Sequence, residues 1–241
     1  LFRSVVNIEF ASNNNKTIKT IWHRTLHDAG AYGTDVVSSI IGKKRTFSFP
    51  KSIYSERDAI AAIVRDNKKA LILDFFAGSG TTLNAVNLLN AEDNGSRRCI
   101  LVTNNEISEE ESKAIYPTLK PIDTVENALD SDLWHTLIEA DNYHALQLLE
   151  YLYAEKVDCI YIDPPYNTGA KDWKYNNDYV DGSDAYRHSK WLSMMEKRLK
   201  IAKKLLNPDT GVLIVTIDEH EMHHLRELID EIGRASCRER V

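Results

Sequence analysis

An acid, two prolines and a tyrosine follow a short apolar run in the segment VDCIYIDPPYNTG, at residues 157–169. Pro164 and Pro165 have no N–H donor and a fixed φ, so the Pro164 carbonyl is a rigid acceptor beside the Asp163 carboxylate. Two such acceptors can bind both hydrogens of an exocyclic amine and free its lone pair for attack on a methyl carbon. Tyr166 offers a ring on which a base can stack. The pattern predicts chemistry on a planar amine, although Pro-Pro can also simply end a strand.

A second cluster of special residues lies in LILDFFAGSGTTLNAV, at residues 71–86. Gly78 and Gly80 stand between an apolar run and a helical pattern, where glycine permits a sharp turn and the close approach of a ligand to a helix N-terminus. The segment has neither the third glycine of a dinucleotide fingerprint nor the Gly-Lys-Ser/Thr of a P-loop. A ligand with a carboxylate, a ribose and an adenine but no phosphate would suit it. A plain strand-to-helix turn is the alternative.

Two further acids follow neighbouring apolar runs. Glu106 ends ILVTNNE, where a carboxylate can accept both hydroxyls of a ribose. Asp141 follows HTLIEA, where it can meet an adenine edge, cap the next helix, or do both. All of these positions are predicted to lie at the carboxyl ends of strands, where open α/β sheets bind ligands. S-adenosylmethionine (SAM) is therefore the cofactor that fits best.

Five short apolar runs with helical patterns between them predict an α/β fold with a doubly wound, mostly parallel sheet. The fourth strand, which ends at DPPY, is expected beside the first strand, which ends at FAGSG. The predicted strands cover residues 70–74, 99–103, 136–140, 157–162 and 212–217. The predicted helices cover residues 55–66, 82–90, 142–152 and 189–206.

The composition limits the class of protein. A chain of 241 residues, with 43% hydrophobic and 27% charged residues, can form one sizeable α/β domain. No apolar run approaches the roughly 20 residues of a membrane span, and no signal peptide is visible, so we expect a cytoplasmic protein without a membrane partner. The net charge of −6 argues against a general nucleic-acid coat but allows local basic patches.

A histidine-rich stretch, DEHEMHH at residues 218–224, raises the question of a metal. His220 and His224 have the i, i+4 spacing of helical zinc ligands. The stretch lacks the H-E-x-x-H pattern, however, and the sequence offers no obvious third ligand. We therefore predict no metal site.

The motifs DPPYNTG, DFFAGSGTT and FPKS together resemble those of amino-directed DNA methyltransferases, especially the adenine-N6 enzymes of restriction-modification systems. Residues 139–206 are similar to the amino-terminal half of the modification subunits of type III systems. Residues 33–86 are similar to the carboxyl-terminal half. The resemblance implies a SAM-dependent methyltransferase (Rossmann-like) fold and methyl transfer to the N6 amine of an adenine that is flipped out of DNA.

The resemblance also assigns residues and partners. It implies that the target adenine is held by Asp163, Pro164, Pro165 and Tyr166. It implies that the SAM pocket is formed by Asp74, Phe76, Ala77, Gly78, Gly80, Glu106 and Asp141, with Lys51 and Ser52 near the methionine end. DNA is the implied partner, and a restriction subunit or a second copy of the chain are further candidates. Cytosine-N4, an RNA or protein amine, or SAM binding without catalysis are the alternatives.

The order of the two halves departs from that family. Type III enzymes normally have the DPPY half first, whereas here the SAM-binding half (36–106) precedes the catalytic half (134–230). A circular permutation or a join of two reading frames would each give this order, with residues 107–133 as the linker or join. Residues 231–241 resemble an adapter-derived tail, which favours the join. The last strands and the recognition region are then expected to be missing, with residues 1–35 as a remnant or an irregular lead.

Overall fold

One sheet of five parallel strands forms the centre of the fold. The computed structural model describes residues 25–41, 50–103, 119–126, 131–167 and 186–238. Across the sheet, the described strands have the order β3-β2-β1-β4-β5, and every neighbouring pair is parallel. The predicted α/β fold with a parallel sheet is confirmed. The strands are β1 (Leu71–Asp74), β2 (Arg98–Thr103), β3 (Thr136–Glu139), β4 (Cys159–Ile162) and β5 (Val212–Val215).

Helices alternate with these strands along the chain. Two short turns of helix, Thr25–His27 and Gly30–Thr34, precede the first α-helix. The last helix continues through Arg238 and therefore enters the segment that the sequence assigned to a tail. The α-helices are α1 (Asp35–Ile41), α2 (Ile53–Val64), α3 (Thr81–Asp93), α4 (Asn142–Tyr153), α5 (Arg187–Leu205) and α6 (Met222–Arg238).

The helices cover both faces of the sheet and bury alternate residues of each strand. In β1, Ile72 packs with apolar residues of α2 and α3, whereas Leu71 and Leu73 pack with residues of α4 and α5. All four residues of β1 and all four of β4 are buried. Burial on both faces explains why these strands have continuous apolar runs rather than alternation. Among the described residues, no helix is long and apolar enough to cross a membrane.

Candidate active site

The carboxyl ends of β1 and β4 lie next to each other. Ile72 pairs with Cys159 and Leu73 pairs with Ile160 in a parallel register. The strand order changes direction at this point, because β2 and β3 continue on one side of β1 while β4 and β5 continue on the other. Open α/β sheets bind ligands in the crevice at such a switch point. The segments DFFAGSG and DPPY therefore leave the sheet at the same edge and side by side.

Donors from three parts of the chain converge on one oxygen of Asp163, the residue that follows β4. Its Oδ1 atom accepts hydrogen bonds from the Thr216 hydroxyl at 2.6 Å and from the Tyr166 hydroxyl at 2.9 Å. The Lys51 ammonium lies 3.3 Å from the same oxygen. Among the described residues, these three contacts all go to Oδ1, and they fix the carboxylate in one orientation.

Lys51 and Tyr166 contact each other as well as Asp163. The Lys51 amine hydrogen-bonds to the Tyr166 hydroxyl and lies 4.9 Å from the centroid of its ring. Burial, reinforced by the Asp163 charge, raises the pKa of the Tyr166 phenol well above its ordinary value. The phenol therefore stays protonated and acts as a donor to Asp163. Lys51 belongs to the FPKS segment, so this contact joins the two halves of the chain.

A glycine positions the FPKS segment for this contact. A Cβ atom on Gly33 would lie 2.5 Å from the Pro50 carbonyl oxygen and 2.8 Å from that of Lys51. Distances below 3.0 Å between a Cβ and backbone atoms require the backbone to shift. Ser52, the other residue predicted to lie near the methionine end of SAM, is buried and donates its hydroxyl to the Leu26 carbonyl at 2.6 Å.

The acid at the end of β1 has an environment unlike that of Asp163. Asp74 is 3% exposed and accepts hydrogen bonds from the Phe76 amide at 2.9 Å and the Thr82 hydroxyl at 2.6 Å. Burial raises its pKa from 3.8 to about 7. Thr82 also lies 3.1 Å from the Glu56 carboxylate, whose pKa is raised by burial and then by the Asp74 charge. Two buried carboxyl groups thus share one hydroxyl.

The turn after β1 has the backbone conformation that its glycines predict. Gly78 has φ 50° and Gly80 has φ 76°, both in the left-handed region. Gly80 is the N-cap of α3 and no side chain caps this helix. A Cβ atom on Gly80 would meet no atom within 4 Å. The backbone at the start of α3 therefore borders open space, while Phe76 and Ala77 just before it are buried.

Asp141 caps α4 and also pairs with a buried arginine. Its Oδ1 accepts the Tyr143 and His144 amides at 3.0 and 3.3 Å, and its Oδ2 lies 3.3 Å from the Arg198 guanidinium. The N-cap interpretation is thus seen directly in the geometry. Asn142, the next residue, donates to the Phe75 carbonyl at 2.7 Å and so ties this helix start to the end of β1.

Some of the predicted residues come together and others do not. Asp163, Tyr166 and Lys51 are in contact, whereas Asp74 is enclosed by its own neighbours. Glu106 lies outside the described residues. Sequence reasoning missed Thr216 and Glu56, which bond to or flank the two strand-end acids. Thr216 directly follows the apolar run of β5, and that position at the end of a strand was the signal that could have identified it.

A family of DNA methylases matches the last third of the chain, over residues 157–239. The "Probable type III restriction-modification enzyme HindVI Mod subunit" of Haemophilus influenzae is 45% identical over 96 residues, which are 40% of this chain and 12% of that protein. The type III EcoP15I Mod subunit of Escherichia coli is 37% identical over 121 residues, covering 41% of this chain and 19% of that protein. The predicted resemblance to amino-directed DNA methyltransferases is confirmed.

A type II enzyme shares the resemblance. The methyltransferase M.KpnI of Klebsiella pneumoniae is 35% identical over 138 residues, covering 57% of this chain and 30% of that protein. The chain therefore spans between 12 and 30% of the length of these three relatives. The residues that match the methylase family include the DPPY segment, β5 and all of α6, and FAGSG lies before them.

Proposed function

We propose that the chain is the core of a SAM-dependent DNA methyltransferase that modifies the N6 amine of adenine. The observation that carries this proposal is the fixed carboxylate of Asp163 at the tip of β4, beside the glycine turn at the tip of β1. Fold alone would not support it, because doubly wound sheets serve many reactions. An oriented acceptor beside a glycine turn that a cofactor can approach supports transfer onto an amine.

The turn after β1 fits SAM by its chemistry. Gly80 borders open space in a left-handed conformation, so a ligand can approach the backbone at the start of α3. The free N–H groups of a helix start favour a carboxylate, and SAM carries one on its methionine portion. Gly78, Gly80, Phe76 and Ala77 would border the adenosine and methionine portions, with Asp141 and Glu106 toward the adenosine. SAM supplies an electrophilic methyl group when bound.

Asp74 would support the SAM pocket without contacting SAM. Both of its oxygens already accept hydrogen bonds from the protein, one from the Phe76 amide and one from the Thr82 hydroxyl. The first bond shapes the turn of DFFAGSG and the second holds the start of α3 against β1. In our proposal Asp74 therefore fixes the geometry of the SAM pocket.

The DPPY tip would prepare the amine of the substrate. The Asp163 carboxylate and the Pro164 carbonyl would accept the two N–H groups of the adenine amine, which makes the nitrogen lone pair available. Asp163 is also the nearest base for the proton that this nitrogen must lose. The half-buried position of Tyr166 and its hydroxyl bond to Asp163 support a second role for this residue, which is to orient the carboxylate as well as to border the base.

The substrate and partners are part of the proposal. Adenine in a duplex hides its amine in a base pair, so the target would have to flip out of the stack. Modification subunits of type III systems are among the relatives, which supports DNA as the substrate and a restriction subunit as a candidate partner. Such systems work in the cytoplasm, where we place this chain as well.

Methyl transfer from tritiated SAM to mixed-sequence duplex DNA tests the proposal. We expect the wild-type chain to label adenine and Asp163→Ala to lower the rate by about 10²-fold or more, because a positioned acceptor is lost. Asp66→Ala, which removes an exposed acid just after α2, is the matched control and should keep the wild-type rate.

Calorimetry with SAM separates catalysis from binding. Asp163→Ala should still release heat on binding SAM, because the glycine turn is intact. Full transfer by Asp163→Ala would refute the mechanism. Heat of binding without any transfer by the wild type would favour the rival in which the chain binds SAM but does not catalyse. Label in cytosine, RNA or protein would identify a different amine as the acceptor.

A further inference from the structure

A buried carboxylate lies directly behind the DPPY tip, outside the residues assigned above. Glu221 precedes α6 and is 0% exposed. Its Oε1 accepts a hydrogen bond from the side-chain amide of Asn167, the residue after Tyr166. The same oxygen lies 2.6 Å from Nδ1 of His188 in the first turn of α5, and Oε2 lies 3.1 Å from Nδ1 of His224 in the first turn of α6.

These contacts compensate a carboxylate that could not otherwise be buried. Removing a charged carboxylate from water is costly unless hydrogen bonds or opposite charges replace the lost solvation. Glu221 obtains its donors from three segments: the DPPY loop, α5 and α6. Each segment is thus bound to the same side chain, and the loop cannot move without breaking a buried hydrogen bond.

The backbone conformation of Asn167 explains what its bond to Glu221 stabilises. Asn167 has φ 56° and is 6% exposed, so the chain turns through a left-handed residue immediately after Tyr166. Asparagine tolerates this conformation better than most residues, but it does not enforce it. The bond from its amide to Glu221 holds the turn in place.

A second anchor holds the loop on the other side of Tyr166. The indole Nε1 of Trp191, a fully buried residue of α5, donates to the Pro165 carbonyl at 2.8 Å. Pro165 and Asn167 are therefore both bound to the α5–α6 side of the molecule. Tyr166 lies between them, and its hydroxyl reaches Asp163.

We infer that Glu221 is a positioning residue that keeps the DPPY loop in its working conformation through Asn167. The inference rests on the proposed function, since it assigns Glu221 a role in aligning the Asp163 and Pro164 acceptors with the target amine. A displacement of about 1 Å at such acceptors can cost on the order of 10²-fold in rate.

The geometry favours hydrogen bonds over a metal ion in this cluster. The ligand atoms of His188, Glu221 and His224 all lie within 4.8 Å of one another, so a cation is a conceivable alternative. The 2.6 Å separation of His188 Nδ1 and Glu221 Oε1 is a hydrogen-bond distance, and the Asn167 amide bonds to the same oxygen. His220, one of the two histidines that the sequence paired, instead contacts Asp218.

Three variants test the bond between Asn167 and Glu221. Asn167→Gly keeps a residue suited to positive φ but removes the amide, and we expect kcat for methyl transfer to fall about tenfold or more. Asn167→Asp places two buried acceptors against each other, and its kcat should fall further than that of Asn167→Gly. Adding Glu221→Gln to Asn167→Asp restores a bond of reversed direction, with His188 Nδ1 accepting the second amide hydrogen in its other neutral tautomer, and kcat should return to within a few-fold of the wild type.

The controls separate positioning from general damage. His220→Ala disrupts an exposed imidazole–carboxylate pair in the same loop as Glu221 and should leave kcat unchanged. All variants should bind SAM with the wild-type affinity, because the glycine turn follows β1, whereas Asn167 lies in the loop after β4. A wild-type kcat in Asn167→Gly, or no recovery in the double variant, would overturn the inference. Stoichiometric zinc in the purified wild type that is lost in His188→Ala would overturn it too.

Backbone hydrogen exchange keeps the two proposals distinguishable. If the wild type transfers no methyl group, the proposed function fails, but the positioning role can still be measured. Exchange at the Tyr166 and Asn167 amides should accelerate in Asn167→Gly and in Asn167→Asp, and should recover in the double variant. Unchanged exchange in both single variants would refute the role of Glu221 whatever the activity.

Discussion

Asp74 is the last residue of β1 and Asp163 directly follows the adjacent parallel strand β4, yet the structure gives them opposite environments. Asp163 is part-exposed, and three donors converge on one of its oxygens. Asp74 is buried, both of its oxygens accept bonds from the protein, and a second carboxyl group lies across the Thr82 hydroxyl. The position of an acid at the end of a strand therefore does not determine its function. The residues around it determine whether the carboxyl group is open to a ligand or is used to stabilise the fold.

The largest expected effect concerns the stability contributed by Asp74. The folded-state pKa of about 7 lies above the ordinary value of 3.8. The unfolded chain therefore releases this proton first as pH rises, and the free energy of unfolding falls between about pH 4 and pH 7. The stabilisation from this group is fully present below pH 4 and is lost by about pH 8. The expected change in the unfolding free energy is on the order of a few kcal/mol, and the neighbouring Glu56 carboxyl, whose pKa is also raised, contributes in the same direction.

Chemical denaturation of the wild type and Asp74→Asn across this pH range measures the effect. Asparagine can accept from the Phe76 amide and does not titrate, so the difference in unfolding free energy between the two proteins should change with pH in the stated direction. A constant difference between wild type and Asp74→Asn would show that Asp74 is already ionised in the fold.

The second effect belongs to Asp163 and acts through Thr216. Thr216→Val removes a hydrogen bond of 2.6 Å to the carboxylate while nearly keeping the volume of the side chain. Hydrogen bonds to charged groups are worth about 1.5–3 kcal/mol, so we expect methyl transfer to slow by at least tenfold with little change in SAM binding. Thr216→Ser keeps the hydroxyl and is the matched control. Equal rates for the Val and Ser variants would contradict this assignment.

Asp141 gives the smallest effect and an intermediate case. It caps α4 and also contacts Arg198, and it was predicted to meet the adenine of SAM. Asp141→Ala should lower the unfolding free energy by at least about 1 kcal/mol, because both the cap and the carboxylate partner of Arg198 are lost, whereas Asp141→Asn should retain most of the cap. SAM titration of the two variants then isolates the cofactor role. Weaker binding in Asp141→Asn, despite an intact cap, would support direct contact with SAM.

The sequence was sufficient to predict the secondary-structure elements and the residues at the carboxyl ends of the strands, because both follow from local patterns. Apolar runs predicted all five strands to within two residues at each end, and the glycines predicted a sharp turn after β1, where Gly78 and Gly80 have positive φ values. Contacts between residues that are distant in the sequence were harder to predict. Glu56 approaches Asp74 across the Thr82 hydroxyl only after the chain has folded, and no local pattern predicts this contact. The position of Thr216 at the end of β5 places it near the site, but its bond to Asp163 also depends on the fold.

Histidines illustrate the same limit. Spacing paired His220 with His224, while the fold brings His188 to His224 around Glu221 and places His220 against Asp218. Helical spacing describes one element, whereas this cluster draws on α5, the start of α6 and the DPPY loop. Whether Glu106 meets a ribose stays a prediction, because it lies outside the described residues.

The pairing of β1 with β4 also bears on how fast the site can form. Leu71 donates its amide to the Asp158 carboxylate at 2.8 Å, across 87 residues of chain. The other neighbouring strands pair residues that are closer in sequence. Closing a longer loop costs more entropy, and contacts between distant residues slow folding. We therefore expect FAGSG and DPPY to meet late in folding. The candidate site would then form only after β1 and β4 have paired, which is the strand pairing with the largest separation in sequence.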